Sequence, residues 1–302
     1  MEHALLFMKR ITVITVIFAA FTSYGQRDWE KVEITSEQLS EHIYVLFGSG
    51  GNIGLAIGEE TAYVIDDQFG PLTDKILAHI TSLTDKPVKW VLNTHWHGDH
   101  TGGNANMANQ GATIIAHENV RKRMAAEQDR GGGRIVEPSP KEALPVITFN
   151  DKLTLHLDNG NDMHAMHVND AHTDGDAYYY FPEDNVIHMG DNFFVGRYPY
   201  IDLNSGGDID GLISNISMTL GIIDDKTKII PGHGPVASKK ELEDYLGVIK
   251  QLRTLVKNAR KAGNTLEQTQ QLGLSKPWDA THGQGFINAE RIIEFIYKSA
   301  DD

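Results

Sequence analysis

Apolar and polar positions alternate in short runs over residues 32–66, with glycine or acidic turns between them. That period of two predicts strands near 32–35, 43–47, 53–57 and 62–65. The spacing then changes. Leu72, Ile76, Leu77 and Ile80 recur at helical intervals and predict a helix over 71–83. A buried strand at 88–92 runs straight into Asn93-Thr94-His95, followed by a helix near 104–109, a strand at 113–116 and a helix through Met124. Residues 131–145, rich in glycine and proline, read as a flexible connection. Strands return at 146–149, 153–157, 163–168, 177–181 and 186–188. A helix near 209–220, a strand at 228–230 and a helical tail with stretches near 239–261 and 289–299 follow. Strands then helices, twice over, indicate an α/β chain in which two sheets form a sandwich covered by helices. No internal repeat is visible.

Composition refines this picture in three ways. The 302 residues are 40% hydrophobic, enough apolar mass for one large core. There is no cysteine, so neither disulfides nor thiolate ligands are available, and any metal must be held by imidazole and carboxylate. The net charge of −14 argues against nucleic acid as a partner, although a local basic patch can hide in an acidic total.

At the start of the chain, Lys9 and Arg10 precede the apolar run 11–21, and Ser23-Tyr24-Gly25 supplies small residues for cleavage. Residues 1–25 therefore read as a secretory signal peptide and 26–302 as a single domain with a helical C-terminal tail. The expected destination is the periplasm or the outside, with no membrane anchor after processing. The expected partner is a small-molecule substrate, with no obligate protein partner evident.

The stretch Thr94-His95-Trp96-His97-Gly98-Asp99-His100-Thr101-Gly102-Gly103 concentrates three histidines and an aspartate directly after a buried strand. In a chain with 14 histidines that pattern arises by chance in roughly two sequences per thousand. A strand end fixes the first ligand, and a glycine-bearing loop can turn the others toward one point. Neutral imidazole and carboxylate suit zinc, and also iron or manganese. Three later residues, His172, Asp191 and His233, each lie in a turn or just past a strand and are candidates for the remaining ligands.

Together these residues resemble the seven-ligand site of the metallo-β-lactamase superfamily. The resemblance implies the αββα sandwich of that fold, two mixed β-sheets flanked by helices, with the site at their shared edge. It further implies that His95, His97 and His172 hold one metal, that Asp99, His100 and His233 hold the other, and that Asp191 bridges them. The implied cofactors are two zinc ions. The implied activity is attack on a carbonyl carbon of an amide, lactone or thioester, β-lactams included, by a metal-bridging hydroxide, with Asp99 as the catalytic residue orienting the nucleophile. Two departures matter. An aspartate stands where the best-known β-lactamases have cysteine, as in the glyoxalase II and lactonase branches, and Phe194 stands where their carboxylate-binding lysine would be. A glyoxalase II-like thioesterase and an iron-dependent redox enzyme on the same fold are the alternatives.

Substrate contacts are expected from surrounding loops, with Trp96 facing solvent between two ligands, Asn52 and Phe69 near the site, and Arg197 as the cation replacing the lysine. Phe193, Phe194, Tyr198 and Tyr200 are further aromatic candidates, with packing favoured for Phe193. Asp67, at the end of a strand, is a candidate acceptor for a ligand imidazole, and Thr94 and Thr173 flank ligands in the same way. The Gly48–Gly54 run precedes a strand, not a helix, and is discounted as a phosphate loop. His42, His79, His117, His156, His164, His167, His188 and His282 lack companions at ligand spacing and read as structural.

Overall fold

The computed structural model describes residues 28–131 and 133–299. The expected signal peptide at 1–25 lies outside the described residues. Trp29–Lys31 form one 3-10 turn in a first unit, and the sheets and the remaining helices belong to a second unit that starts at Val32.

In chain order the first part comprises β1 (Thr35–Gln38), β2 (Ile43–Phe47), β3 (Ile53–Ile57), β4 (Ala62–Ile65), α1 (Thr73–Leu83), β5 (Val88–Leu92), α2 (Gly98–Thr101), α3 (Asn104–Asn109), β6 (Thr113–His117) and α4 (Glu118–Met124). Next come β7 (Gln128–Asp129), β8 (Ile135–Val136), β9 (Ile147–Phe149), β10 (Lys152–His156), β11 (Asp162–His167), β12 (Ala177–Phe181) and β13 (Val186–His188). The last part holds α5 (Ile209–Leu220), β14 (Lys228–Ile230), α6 (Lys239–Lys261), α7 (Leu266–Gln271), α8 (Lys276–His282) and α9 (Ala289–Lys298).

Two mixed sheets form. The first runs β1-β2-β3-β4-β5-β6-β9 and the second β10-β11-β12-β13-β14, with β7 and β8 paired as a separate hairpin. The first is antiparallel as far as β4 and parallel beyond it, and in the second only β13 and β14 are parallel. Alternation along each strand assigns side chains to two layers. Tyr179, Val186 and Ile230 join Ile43, Val45, Ile65, Leu92 and Ile115 between the sheets. Their neighbours Tyr178, Ile187 and Ile229 turn the other way, into a layer shared with α5, α6 and α9. The result is the α/β sandwich with helices outside.

The helical stripes read from the sequence become core faces: Leu242, Leu246, Ile249 and Leu252 on α6, and Ile292, Ile293 and Ile296 on α9 are buried. A capping box between Ser238 and Glu241 starts α6. Among the described residues, no helix is long and apolar enough to cross a membrane.

The structure corrects the outline in three places. The first strand lies at β1 and not at 32–35. It is an edge strand with no buried residue, held by backbone pairing to β2, and so carries no hydrophobic signal. The connection at 131–145 contains β8 and a 3-10 turn at Lys141–Ala143, and its first residues close the hairpin with β7. The tail also contains α7 and α8. The latter buries no residue, so it shows no stripe.

Candidate metal centre

The site is assembled from loops past β5, β13 and β14, which lie in parallel pairs, and from the β11–β12 loop that carries His172. Past β5, Asn93 and Asn104 exchange two side-chain hydrogen bonds at 2.9 and 3.0 Å, which fixes the base of the His95–His100 loop. Thr94 is anchored through its N–H and hydroxyl, each donating to Asp66 at 2.7 Å. Asp176 Oδ2 accepts from the N–H groups of His172 and Thr173 and from Asn192 Nδ2, tying the His172 loop to the turn after β13. Past β14, the N–H of Gly232 donates to Gly190 O at 2.7 Å. A Cβ at Gly232 would collide with the Asp191 carboxylate, and one at Gly51 with the His100 imidazole, so both close approaches require glycine.

These loops gather two groups of potential ligand atoms. His95, His97, His172 and Asp191 offer atoms all within 4.8 Å of one another, and so do Asp99, His100 and His233. Asp191 faces both groups with different oxygens. Its Oδ2 lies 3.8 Å from His95 Nε2 and 3.5 Å from His172 Nε2. Its Oδ1 lies 3.1 Å from His100 Nε2 and 3.4 Å from His233 Nε2. Asp99 Oδ2 closes the second group at 3.4 Å from His233 Nε2.

The hydrogen bonds behind these atoms test whether the pocket suits cations. His172 Nδ1 donates to the backbone carbonyl of Tyr200 at 2.7 Å, and His97 Nε2 donates to Asp202 Oδ2 at 2.8 Å. With both protons spent outward, His172 Nε2 and His97 Nδ1 face each other at 2.9 Å as bare lone pairs. His100 is oriented alike, its Nδ1 donating to Asp66 Oδ2 at 2.7 Å while its Nε2 lies 3.1 Å from Asp191 Oδ1. Buried His95 Nε2 and Asp191 Oδ1 have no hydrogen-bond partner. Acceptors aimed at acceptors in a buried pocket repel unless a cation lies between them. The residues therefore fit two metal ions.

Protonation follows the same logic. Burial, reinforced by the neighbouring His100, holds His95 well below the ordinary imidazole value. Burial also brings His97 down to about 4, against the raising effect of Asp202. Both are neutral and ligand-ready near pH 7. Burial raises the Asp191 pKa, but His100, His233 and His95 outweigh it and leave the carboxyl well below its usual range.

The sequence profile of the metallo-beta-lactamase superfamily matches residues 46–239, which contain every one of these ligand candidates. The chain belongs to the metallo-beta-lactamase superfamily. It is 26% identical over 221 residues to the 2,4-dinitroanisole O-demethylase subunit alpha of Nocardioides sp., covering 72% of this chain and 62% of that protein. It is 30% identical over 146 residues to a hydroxyacylglutathione hydrolase of Polaromonas sp., covering 47% of each. The chain thus spans about half to three-fifths of the length of these relatives. Among solved structures, a metallo-beta-lactamase from Pontibacter korlensis aligns with a TM-score of 0.61 at 18% identity, over 72% of this chain and 99% of that one. The sec-alkylsulfatase Pisa1 from Pseudomonas sp. aligns at 0.67 and 14% identity, over 88% and 50% respectively. At such identities the structural likeness speaks for the fold alone.

Several expected substrate contacts of this superfamily member have other duties. Trp96 is buried, packed with Ala116, Val120, Met124 and Ala143, because the turn at α2 swings it inward while His95 and His97 face the centre. Asn52 is buried as well. Its amide donates to Pro231 O at 2.9 Å and Gly234 O at 2.8 Å, bracing the His233 loop and leaving no donor for a substrate. Arg197 is exposed and lies against Gly285. Phe69 is part-buried beside Gly50, next to Asp99, and stays at the rim. Phe193 and Tyr198 belong to the core, whereas Tyr200 stands beside His97 and His172. Phe194 stacks on His233 with ring centroids 5.3 Å apart, where a lysine was the alternative.

Asp66, not Asp67, is the acceptor for a ligand imidazole. Asp66 sits at φ 61°, and this left-handed turn at the strand end points its carboxylate at Thr94 and His100. Asp67 instead accepts from the N–H of Gly103 at 2.8 Å. Its pKa is raised well above the usual value by burial and by the neighbouring Asp66. Thr94 contacts His95 Nδ1 at 3.0 Å, and Thr173 bonds Asp176. Asp202 and Asp176 had no local signal, since fold alone brings them to the ligands. Arg130 and Phe286 were also missed, though each adjoins glycines, where side chains can reach a site edge.

Proposed function

We propose that this chain is an exported di-zinc hydrolase that attacks the carbonyl carbon of an amide, a lactone or a thioester. The observation that carries this reading is Asp191, whose two oxygens each serve a different ligand group. When bound, two zinc ions would bring a water to a pKa near 7 and polarise the carbonyl oxygen. The residues supply the rest. Asp99 has a side chain 30% exposed against 6% for Asp191, so it is the carboxylate turned toward arriving substrate and the one to orient the attacking water and accept its proton. Tyr200 O and Asp202 keep His172 and His97 in their ligand tautomers. Phe69, part-buried at the rim, offers apolar surface beside the centre.

The partial matches to hydroxyacylglutathione hydrolases, 30% and 28% identical, support the thioester member of this class. The basic–apolar–small order of residues 9–25 supports export, and with it a small-molecule substrate met outside the cytoplasm. The test is turnover by the zinc-loaded protein of a β-lactam, a lactone and a glutathione thioester, with a chelator control. Chelator-sensitive hydrolysis of at least one class is expected. Predominant iron in natively purified protein, with oxygen consumption and no hydrolysis, would overturn the reading.

A further inference from the structure

On the His97 side of the centre lies a cavity of about 630 Å³ whose wall includes Tyr200 and Asp202, the residues that hold His172 and His97. Four cations line it, Arg130, Arg134, Arg291 and Lys298, against two carboxylates, Asp202 and Glu294. Both carboxylates are already engaged. Glu294 pairs with Arg291 at 2.7 Å and with Lys298 at 2.6 Å, through separate oxygens. Asp202 Oδ2 accepts from His97 Nε2 and from Ser205 Oγ at 2.9 Å. In a chain of net charge −14, this cavity carries a surplus of positive charge.

Arg130 is the focus of that surplus. Its Nε is buried without a hydrogen-bond partner and lies 3.8 Å from Asp202 Oδ2, beyond hydrogen-bond reach. The guanidinium carbon stands 5.5 Å from the ring centroids of both Trp96 and Tyr200, so two aromatic faces fix its orientation. The backbone places it as well: Arg130 N donates to Arg134 O at 2.9 Å, and Asn204 Nδ2 donates to Asp129 O at 3.0 Å, docking the hairpin at the cavity. A buried donor on a fixed, planar cation is costly unless an acceptor arrives, and a carboxylate matches the fork with two parallel bonds. Phe286, 62% exposed, packs on Tyr200 of the cavity wall at 6.0 Å and on Phe194, which stacks on His233, at 6.3 Å, so exposed apolar surface adjoins both the cavity and the second ligand group.

We propose that this cavity receives a carboxylate carried by the substrate, with Arg130 making the paired contact and Arg134 reinforcing it, while the scissile carbonyl lies at the metal centre. The proposal rests on the hydrolase reading and narrows it to anionic substrates. The test uses the zinc-loaded full chain and two probes, the 4-nitrophenyl monoester of glutaric acid and its neutral methyl ester, compared by kcat/KM. The wild type is expected to favour the anionic probe at least tenfold, and Arg130→Met to cut that ratio at least tenfold. Arg134→Met, at an exposed position, should cut it about threefold and carries the comparison if Arg130→Met does not fold. Lys122→Met, which removes a cation outside the cavity, should leave the ratio within twofold.

Glutarate binding by calorimetry separates the two readings. If neither ester is turned over, the carbonyl-hydrolase reading fails for this class, yet a glutarate affinity at least fivefold weaker in Arg130→Met still supports the carboxylate subsite. An unchanged ratio or, without turnover, an unchanged glutarate affinity in both arginine variants overturns it.

Discussion

Asp66 and Asp202 each hold one ligand imidazole, and each serves a different ligand group, so exchanging either for asparagine should weaken one metal and not the other. Asp66 is fully buried and accepts three bonds of 2.7 Å, from Thr94 N, Thr94 Oγ1 and His100 Nδ1. Asn at this position replaces one oxygen with a donor. Placed toward His100, that donor forces the imidazole into its other tautomer and aims an N–H from Nε2 into the centre. Placed the other way, it opposes the N–H of Thr94. Loss of such an outer partner costs about 10–100-fold in metal affinity, or about 1.4–2.8 kcal/mol. Asp202→Asn acts in the same way through His97, whose Nε2 now donates to Asp202 Oδ2 at 2.8 Å. Zinc competition against a fluorescent chelator should show one weakened equivalent in each single variant and two in the double variant. A double variant that keeps one wild-type equivalent would mean that both aspartates serve the same ion, which would refute the assignment of His97 and His100 to two different ions.

Two further outcomes are expected. Trp96→Ala should lower the unfolding free energy by about 3–5 kcal/mol in urea titration, as for a large aromatic removed from a packed cluster; a raised KM with unchanged stability would return Trp96 to the substrate. His117 sits at about 4, held down by burial and then by His167, which stacks on it at 3.7 Å. Below the ordinary imidazole value of 6.5 the unfolded chain takes up a proton that the folded chain refuses, so stability falls as pH drops from about 6.5 to 4 and is whole above that window. His117→Asn keeps a capping residue before α4 and should flatten the slope of unfolding free energy against pH there, whereas an unchanged slope would show that His117 does not carry it.

The seven ligand candidates were legible because each sits in a short, strongly marked segment next to a strand, and the loops past β5, β11, β13 and β14 gather at one edge of the two sheets. Burial duties were less legible. Trp96 lies between two ligands in sequence, and only the backbone turn at α2 decides that it points to the core. Asp66 and Asp67 are indistinguishable by type, and a single left-handed residue exchanges their roles. Arg130 and Asp202 approach only because a hairpin docks beside Asn204, a contact with no periodic or motif signature. The edge strand β1 and the unburied helix α8 escaped detection for the converse reason, since they bury nothing that a hydrophobic pattern could report.

The bridging role proposed for Asp191 is tested most directly by counting ions per chain in native mass spectrometry after zinc loading. Two are expected in the wild type, with one or none in Asp191→Ala. A wild type that saturates with a single ion, or an Asp191→Ala variant that retains both, would contradict the proposal that its two oxygens serve both ligand groups.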